Sequence, residues 1–412
     1  MKKISIVGLG YIGIPTSVFF ARSGVEVVGI DVNEKQVERL NRGEIGIVEP
    51  GLAEMVKDVV DKKMFRATLT PEPVDAFIIS VPTPFKDNYE PDLSYIQSAA
   101  KNIAPVLQKG NLIVLESTSP VGATEQLAKW LQESRSDLKI AVEDDENCDV
   151  YVAYCPERMI PGNVFELIEN DRILGGINNV STQKAKELYS KIAKGELILT
   201  NARTAEMSKL TENSFRDVNI AFANELSMIC DKLNINVQEL ISLANHHPRV
   251  NILQPGCGVG GHCIAVDPWF IVNKTPDEAK LIRQAREVND YKPKFVIKKV
   301  EKAIKELGKD NPSITCFGLA FKPNIDDLRE SPALKITQQL AEKYNNVFAV
   351  EPNINVLPEK LADKNIKLID LATGLKSDIL LMLVEHKEFK AINPKLSKNQ
   401  RLVDTRGIWQ NA

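Results

Sequence analysis

The sequence lacks the features that mark membrane proteins and disulfide-rich secreted proteins. No apolar run approaches the about 20 residues that a membrane-spanning helix needs. The apolar segment after Met1 is broken by Gly8 and Gly10 and is soon followed by Asp31, which argues against a signal peptide. Six cysteines without a CxxC pair and four histidines indicate neither a disulfide framework nor a metal site. We therefore expect a cytoplasmic protein with reduced thiols.

The chain also has no block of basic residues. Its net charge is −3, so nothing favours a nucleic acid or an anionic membrane surface as a partner. Hydrophobic residues make up 43% of the sequence and charged residues 26%, as in soluble globular proteins. A chain of 412 residues is longer than one hydrophobic core usually serves, so two or three domains are expected.

Short β-branched runs alternate with helical patterns in the first third of the chain. "KISIVGLG", "VEVVGIDV", "DAFIISVP" and "NLIVLEST" read as strands, and "NEKQVERLNRG" and "LSYIQSAAKNIAPVL" as helices. A second series follows "KELGKDNPS", with "ITCFGLAF", "NVFAVEP" and "DILLMLVEH" as strands and "SPALKITQQLAEKY" as a helix. Such alternation predicts parallel, doubly wound sheets.

A long helix is predicted between the two series. Residues 196–247 contain no glycine or proline, and apolar residues recur there at spacings of three and four. The members of this stripe are Phe215, Val218, Phe222, Leu226 and Ile229. The predicted fold is α/β, with two Rossmann-like doubly wound parallel-sheet domains joined by a long central helix. The predicted domains are 1–200, 201–305 and 306–412.

The stretch "IVGLGYIG" has the pattern G-x-G-x-x-G at Gly8, Gly10 and Gly13, between a predicted strand and a predicted helix. In a dinucleotide-binding turn the first glycine permits the tight turn, the second admits the pyrophosphate, and the third lets helix and strand pack closely. Asp31 ends the next predicted strand, where a carboxylate binds the adenosine ribose and repels a 2′-phosphate. This pattern predicts NAD rather than NADP as the cofactor.

One cysteine differs from the others in its surroundings. Cys263 follows the glycine-rich stretch "GCGVGG" and precedes Asp267 by four residues, which suggests either a tight turn or a reactive thiol. Upstream, Lys209 and Asn213 are spaced i and i+4, so they share a helical face that could stabilise an oxyanion. Spacing alone equally fits a solvated polar face. The remaining cysteines are expected to be buried small hydrophobic residues: Cys148, Cys155, Cys230, Cys257 and Cys316.

Several motifs together resemble the UDP-sugar dehydrogenases of the UDP-glucose/GDP-mannose dehydrogenase family over essentially the whole chain. They are "VPTPF", "ESTSPVG", "CPER", "AEMSKLTENSFRDVNIAFANE", "GVGGHC" and "FKPNIDDLRES". The resemblance implies NAD-dependent four-electron oxidation of a sugar C6 to a carboxylate. The first oxidation gives an aldehyde that a thiol captures as a thiohemiacetal. The second gives a thioester, which water hydrolyses to the uronate.

The resemblance also implies roles for particular residues. Cys263 matches the nucleophile, Lys209 and Asn213 match the groups that stabilise oxyanions, and Asp267 matches a carboxylate that works with them through water. Glu157 matches an acid or base in thioester hydrolysis. In addition, Thr118 matches a catalytic residue beside the nicotinamide and the hydrolytic water.

Binding residues follow from the same resemblance. Those expected to bind NAD are Gly8, Gly10, Tyr11, Ile12, Gly13, Asp31, Thr83, Thr118 and Arg329. Those expected to bind the UDP-sugar are Glu157, Arg158, Lys209, Asn213, Arg216, His247, Arg249, Asn251, Gly260, Phe321 and Lys322. In relatives the arginine matching Arg249 can reach in from a second subunit. This, together with the striped helix, predicts a homodimer or a higher homo-oligomer.

The stretches "TENSFRDVNIAFANELS" and "HPRVNILQPG" resemble the branch that oxidises UDP-N-acetyl-D-mannosamine, which implies a role in surface polysaccharide biosynthesis. UDP-glucose enzymes carry a GFGGSC-type loop and a second glutamate where this chain has Pro161. The alternative substrates are UDP-N-acetyl-D-glucosamine, UDP-N-acetyl-D-galactosamine and UDP-glucose. Two further alternatives are a two-electron hydroxyacid or polyol dehydrogenase and a non-catalytic NAD-sensing protein.

Overall fold

The structure, a computed structural model, describes residues 1–47, 49–143, 145–159, 163–261, 263–357 and 366–409. The chain divides into two compact units, Met1–Thr211 and Glu212–Ala412. In these described ranges, no helix combines the length and the apolarity needed to cross a membrane.

The first unit is built on an eight-stranded sheet. Its strands are β1 Lys3–Val7, β2 Glu26–Ile30, β3 Phe65–Thr68, β4 Ala76–Ile79, β5 Leu112–Leu115, β6 Tyr151–Tyr154, β7 Arg172–Gly176 and β8 Leu197–Asn201. They lie in the order β3-β2-β1-β4-β5-β6-β7-β8. The strand order therefore reverses between β1 and β4, the position at which doubly wound sheets bind their ligands. The four strands predicted in this part of the chain are confirmed.

The first six strands of this sheet are parallel, but β7 pairs antiparallel with β6. β8 then pairs parallel with β7. A parallel neighbour needs a long crossover, usually a helix, whereas an antiparallel neighbour does not. The only described helix between β6 and β7 is the four-residue segment Glu166–Glu169. The prediction of a parallel sheet is therefore confirmed for β1 to β6, and it is wrong for the pairing of β6 with β7.

Both faces of the first sheet are covered by apolar side chains. Ile4 and Ile6 of β1 contribute to the hydrophobic core on one face, and Val7 contributes to the core on the other. In β4, Ile78 packs on the first face and Phe77 on the second. This double burial explains why these strands are nearly continuous apolar runs rather than alternating ones.

Helices flank the strands of the first unit. They are α1 Gly13–Arg22, α2 Glu34–Asn41, α3 Leu52–Asp61, α4 Ser94–Ile103, α5 Ala123–Ser134, α6 Glu166–Glu169 and α7 Asn179–Tyr189. Two 3₁₀ turns lie at Asp87–Tyr89 and Ala104–Val106. The side chain of Asn33 caps α2 by accepting from the Gln36 N–H, and Asn178 caps α7 by accepting from the Ser181 N–H. These caps fix where the two helices begin.

The second unit contains a five-stranded, fully parallel sheet. Its strands are β9 Ile314–Phe317, β10 Val347–Val350, β11 Lys367–Leu368, β12 Ile379–Met382 and β13 Arg401–Asp404, in the order β11-β10-β9-β12-β13. Its helices are α9 Val237–Ala244, α10 Asp267–Lys274, α11 Lys280–Leu307, α12 Pro332–Ala341, α13 Leu371–Gly374 and α14 Lys387–Lys390. The second predicted Rossmann-like series is confirmed.

The first turn of each sheet has the same construction. Gly8 and Gly318 both have positive φ, 96° and 91°, directly after the first strand of their sheet. The next amide donates to an acid that follows the second strand. Leu9 N–H donates to Asp31 over 2.9 Å, and Leu319 N–H donates to Glu351 over 2.7 Å. Two turns of dinucleotide-binding type therefore occur in one chain.

The long central helix is α8, Ala202–Leu233. The predicted apolar stripe forms one face, but much of it is exposed: 68% of Phe215, 51% of Phe222 and 47% of Ile229. The polar residues Asp217 and Asn224 are buried instead. α8 ends at Leu233, and the next residue, Asn234, adopts a left-handed φ of 56°, so the glycine-free run 196–247 is not one continuous helix.

Candidate active site

The glycine fingerprint forms the tight turn between β1 and α1 that the sequence predicts. A Cβ on Gly8 would lie 2.6 Å from the Ser80 carbonyl oxygen, and one on Gly13 only 1.8 Å from the Gly8 oxygen. In contrast, nothing lies within 4 Å of the Cβ position on Gly10. The first and third glycines are thus required by the packing of the chain itself. The second leaves open the space that a pyrophosphate would need.

Asp31 follows β2 and faces this turn. One carboxylate oxygen accepts from the Leu9 N–H over 2.9 Å and the other from the Asn33 N–H over 2.9 Å. Each oxygen keeps a second lone-pair direction, so the carboxylate can also accept from ribose hydroxyls. Together with the open space at Gly10, this arrangement fits the adenosine half of NAD.

Two predicted cofactor residues meet at the ends of β4 and β5. The Thr83 hydroxyl donates to the Thr118 carbonyl oxygen over 2.5 Å. β4 and β5 are adjacent strands, and β4 lies next to β1 at the strand-order reversal. The carboxyl ends of these strands therefore carry both threonines on the side where such sheets bind ligands.

Glu206, a residue that the sequence analysis missed, holds the loop after Thr118. Its buried carboxylate accepts from the Gly122 N–H over 2.7 Å, and from the Thr124 N–H and hydroxyl over 2.8 and 2.6 Å. Burial raises the pKa of Glu206, and these donors oppose that rise. Glu206 belongs to α8, three residues before Lys209, so it fixes the start of α5 to the helix that carries Lys209. An acid within an ordinary helical pattern gave no signal of this contact.

Glu116 was also missed, although it begins the motif "ESTSPVG". Its side chain is fully buried and pairs with the buried Arg172 over 3.4 Å. It also accepts from the hydroxyls of Ser80 at 2.8 Å, Thr16 at 3.2 Å and Tyr189 at 3.3 Å. This network ties β5 to β4, α1 and β7 beneath the fingerprint turn. The sequence did offer one sign of this network, since Glu116 directly follows the all-apolar strand β5 and is therefore expected to be buried and paired.

The structure brings together two predicted catalytic residues of the first unit. The Lys209 ammonium donates to the backbone carbonyl oxygen of Glu157 over 2.6 Å. Burial raises the pKa of the Glu157 carboxyl, and the Lys209 charge opposes that rise. A raised pKa suits a group that must both accept and donate a proton. Next to it, Arg158 donates to the Asp171 carbonyl oxygen over 3.0 Å.

Cys263, in the second unit, is exposed, unlike the other five cysteines of the chain. Four others are buried, as predicted, whereas Cys148 is only partly buried. Burial raises the pKa of Cys155 and Cys257 to about 11 and that of Cys316 to about 12, so these thiols are held protonated. Exposure therefore distinguishes the Cys263 thiol from the other five.

Cys263 lies four residues before Asp267, the first residue of α10. Its carbonyl oxygen accepts from the N–H groups of Val266 over 3.1 Å and Asp267 over 2.9 Å. The Asp267 carboxylate, which is 2% exposed, accepts from the Asn213 amide over 2.5 Å. Three predicted catalytic residues therefore belong to one local arrangement at the start of α10.

The glycines before Cys263 are crowded by the chain itself. A Cβ on Gly260 would lie 2.7 Å from the Glu330 carbonyl oxygen and 2.9 Å from Phe321 Cβ. Gly261 has a φ of 82° and faces the Phe321 ring. The loop thus packs against the "FKPNIDDLRES" segment, which places Gly260 and Phe321 in contact. His262 lies outside the described residues, as does Pro161.

The remaining predicted substrate and cofactor residues of this unit are more exposed. Arg329 forms a two-pronged pair with the Asp327 carboxylate at 2.6–3.0 Å. The His247 ring accepts from the Arg249 N–H over 3.3 Å, so these two are neighbours. Three further predicted substrate residues have exposed side chains: Arg216, Asn251 and Lys322.

Three models of one family match successive parts of the chain. They are the UDP-glucose/GDP-mannose dehydrogenase family NAD binding domain over residues 2–193, its central domain over 203–291 and its UDP binding domain over 315–411. The domain limits at 200 and 305 themselves stay a prediction.

Whole-chain relatives agree with this assignment. A UDP-N-acetyl-D-mannosamine dehydrogenase of Campylobacter jejuni is 60% identical over 94% of this chain and 96% of its own. An NDP-N-acetyl-D-galactosaminuronic acid dehydrogenase of Ralstonia nicotianae is 54% identical over 99% and 96%. The solved structure of a UDP-D-ManNAc dehydrogenase from Pyrococcus horikoshii has a TM-score of 0.89 and 37% identity over 98% and 96%. The chain therefore belongs to the UDP-glucose/GDP-mannose dehydrogenase family and is an NAD-dependent UDP-sugar dehydrogenase.

Proposed function

We propose that this protein oxidises C6 of UDP-N-acetyl-D-mannosamine to the carboxylate through a covalent intermediate on Cys263. The observation that carries the proposal is the arrangement at the start of α10, where the exposed Cys263 adjoins the buried Asn213–Asp267 pair. The sugar is proposed from the relatives in Campylobacter jejuni and Pyrococcus horikoshii. A two-electron dehydrogenase would need no nucleophile, and an NAD sensor would need neither thiol nor paired acid.

In the proposed covalent steps, the Cys263 sulfur forms one C–S bond and is released again as thiolate. The Cys263 thiolate adds to the aldehyde carbon, a C–S bond forms, and the resulting oxyanion takes a proton to give the thiohemiacetal. Loss of a hydride from C6 and of the hydroxyl proton leaves the thioester. Water then adds, the C–S bond breaks, and the thiolate leaves with release of the uronate. Covalent capture keeps the aldehyde from escaping between the oxidations.

The chain's own groups stabilise charge and move protons in these steps. We assign Lys209 and Asn213 to the oxyanions, since an ammonium and an amide N–H both stabilise negative oxygen. Asp267 holds the Asn213 amide in one orientation through their hydrogen bond. Glu157, with its raised pKa, is assigned to proton transfer during hydrolysis, and Thr118 to the position of the water.

NAD, when bound, supplies the hydride acceptor for both oxidations. The residues proposed to hold it are the fingerprint glycines and Asp31, whose geometry leaves space for a pyrophosphate and a ribose. Thr83 orients the Thr118 backbone through its hydroxyl. The Asp31 carboxylate would repel a 2′-phosphate, which is the basis for preferring NAD over NADP.

A second candidate substrate is a nucleotide-linked N-acetyl-D-galactosamine. It is favoured by the Ralstonia nicotianae relative, whose 54% identity extends over 99% of this chain. Both candidate sugars carry a 2-acetamido group and differ in the orientation of their substituents. UDP-N-acetyl-D-glucosamine and UDP-glucose complete the set to be compared.

The test is NAD reduction with these four UDP-sugars, followed by product analysis. The proposal expects the highest kcat/KM with UDP-N-acetyl-D-mannosamine and two NADH for each uronate. One NADH for each product, or a clear preference for another sugar, would contradict it. Mass spectrometry of enzyme quenched during turnover should show the uronyl adduct on the peptide that contains Cys263.

Cys263→Ser tests the nucleophile directly. A serine hydroxyl holds its proton far more tightly than a thiol, so steady-state turnover should fall by at least about a thousandfold while NAD binding persists. Cys148→Ser is the matched control, because Cys148 is partly buried and is not expected to react. If the Cys263 variant binds both ligands and turns over like the wild type, the covalent mechanism is wrong.

We also propose that the protein is a cytoplasmic homodimer that supplies a uronate for surface polysaccharide biosynthesis. The exposed stripe of α8 supports the dimer, because Phe215, Phe222 and Ile229 are spaced seven residues apart along one face. Apolar side chains exposed in such a row are typical of subunit interfaces. Arg249 is exposed in a loop of the same unit, where a second subunit could use it.

A further inference from the structure

The start of α5 is capped by a side chain from another helix. The residue before α5 is Gly122, which has a φ of 96° and no side chain that could accept from the helix amides. The first N–H groups of a helix have no acceptor within the helix itself. Glu206 of α8 supplies one, since its carboxylate accepts from the Gly122 N–H over 2.7 Å and from the Thr124 N–H over 2.8 Å.

Glu206 suits this task through its two oxygens. The Gly122 N–H donates to one of them, and the Thr124 N–H donates to the other. The Thr124 hydroxyl adds a third hydrogen bond over 2.6 Å, and the Glu206 side chain is fully buried. An amide side chain has only one accepting oxygen, and its nitrogen is itself a donor. Glutamine at this position would therefore leave one of the two backbone N–H groups without its acceptor.

The segment before α5 carries Thr118 and is held at its other end by β4 and the loop after it. The Ser117 hydroxyl donates to the Val81 carbonyl oxygen over 2.7 Å, and the Thr83 hydroxyl donates to the Thr118 carbonyl oxygen over 2.5 Å. Ser117 and Ser119 are buried, whereas Thr118 between them is partly exposed. Of these three residues, Thr118 is thus the one open to solvent.

Only three residues separate Thr118 from the capped end at Gly122. The Ala123 N–H donates to the Pro120 carbonyl oxygen over 3.1 Å, which closes a turn within the segment but does not attach it to the rest of the unit. Glycine has more accessible backbone conformations than any other residue. Without the hydrogen bonds to Glu206, Gly122 would act as a hinge close to Thr118.

The same turn of α8 also carries Lys209. Glu206 and Lys209 are spaced i and i+3, so they are neighbours on one face of the helix. The Lys209 ammonium donates to the Glu157 carbonyl oxygen over 2.6 Å. One turn of α8 therefore supports both the segment of Thr118 and the ammonium that we assign to the oxyanions.

We propose that Glu206 is a positioning residue for thioester hydrolysis. By capping α5 it keeps Thr118 in the place where we assign the hydrolytic water, and it fixes that place relative to Lys209. It acts through the backbone of residues 118–124, since its own carboxylate is buried and engaged there. The inference rests on the proposed function of Cys263 and Thr118. One of its two readouts, amide exchange in this segment, needs no catalysis.

The first measurement compares Glu206→Gln with Glu125→Gln. Glu125 is the matched control because it joins the same two helices at a more exposed place, through side-chain bonds to Arg203 at 2.5 and 2.8 Å. Amide hydrogen exchange in a peptide spanning residues 116–124 should become about tenfold faster or more in Glu206→Gln and stay unchanged in Glu125→Gln. Exchange in β3 should stay unchanged in both variants.

The second measurement separates oxidation from hydrolysis in a single turnover with enzyme in excess. In Glu206→Gln, formation of the two NADH should stay within about threefold of the wild-type rate, whereas release of the uronate should slow by about tenfold or more. The uronyl adduct on Cys263 should accumulate accordingly in mass spectra of quenched enzyme. Glu125→Gln should match the wild type in all three quantities.

Thr124→Val provides a milder test, because it removes one of the three donors to Glu206 and keeps a side chain of similar shape. It should shift exchange and uronate release in the same directions by about two- to fivefold, and it replaces Glu206→Gln if that variant does not fold. Wild-type exchange in a folded variant would overturn the proposal, as would NADH formation and uronate release that slow by the same factor. If Cys263→Ser proves fully active, the proposed function fails, and the exchange measurement alone decides whether Glu206 orders the segment of Thr118.

Discussion

Lys292 carries a charge that the fold stabilises poorly, and its replacement should make the protein more stable. Lys292 lies in α11 and is 4% exposed. Its ammonium donates to the Ser227 hydroxyl and lies 5.1 Å from the centre of the Phe295 ring. Among the residues that the structure describes, no carboxylate lies within 4 Å of the Lys292 nitrogen. The side chain lines a cleft in the second unit, together with Asp231 and Lys299.

The size of the effect follows from the pKa. Burial lowers the pKa of Lys292 from 10.5 to about 8. Each tenfold change in proton affinity is worth about 1.4 kcal/mol, so holding the charged form in the folded state costs about 3 kcal/mol below pH 8. Loss of the hydrogen bond to Ser227 offsets about 1 kcal/mol of the gain. Lys292→Met should therefore raise the free energy of unfolding by about 2 kcal/mol at pH 7.

The lowered pKa of Lys292 also determines how the free energy of unfolding changes with pH. The folded state binds this proton more weakly than the unfolded state, so between about pH 8 and pH 10.5 the unfolded state carries more protons. The wild type consequently gains stability from this group as the pH rises through that window. Lys292→Met has no such gain, so its advantage should shrink from about 2 kcal/mol at pH 7 to near zero or below by pH 10.

Urea unfolding at pH 7 and pH 10 measures both quantities. Lys294→Met is the matched control, because Lys294 is an exposed lysine two residues further along the same helix. The control should change stability by less than about 0.5 kcal/mol at either pH. A Lys292 variant that is less stable than the wild type at pH 7, or whose advantage is the same at both pH values, would refute the reasoning.

Three further predictions concern the fingerprint and the assembly. Asp31→Ala should raise the kcat/KM ratio of NADP to NAD by about tenfold or more, because the carboxylate no longer repels a 2′-phosphate; an unchanged ratio in initial-rate assays would argue against the ribose contact. Gly13→Ala should lower the free energy of unfolding by about 2 kcal/mol or more, since its Cβ would lie 1.8 Å from the Gly8 oxygen. Urea unfolding measures this loss, with Gly10→Ala as a control that should lose much less, because its Cβ would meet no atom within 4 Å. Phe222→Asp should convert the proposed dimer to a monomer by light scattering, whereas a wild type that is already monomeric and fully active would contradict the dimer.

Sequence patterns determined the features that depend on near neighbours along the chain. The fingerprint was predictable because Gly8, Gly10 and Gly13 follow a β-branched run at a spacing that is itself the signature of this turn. Asp31 was predictable because the end of the second strand always lies beside this turn in a parallel sheet. The helical spacing placed Phe215, Phe222 and Ile229 on one face of α8, as observed.

The same spacing did not determine which face of α8 is covered. A period of 3.6 residues shows which side chains share a face, but the neighbours packed against that face belong to distant parts of the chain. Contacts with α11 bury Asp217 and Asn224, and the phenylalanines remain exposed. An amphipathic pattern alone would have placed the apolar stripe inside and the polar residues outside.

The anchors of the site were likewise decided only by the tertiary structure. Glu206 reaches Gly122 across 84 residues, and Glu116 reaches Thr16 across 100. Such partners are brought together by strand order and by loops that close over long separations, so no local pattern marks them. Motifs therefore identified the residues proposed to do chemistry, such as Cys263 and Lys209. The residues that hold the surrounding backbone in place became visible only in the folded chain, because their partners are close in space and remote in sequence.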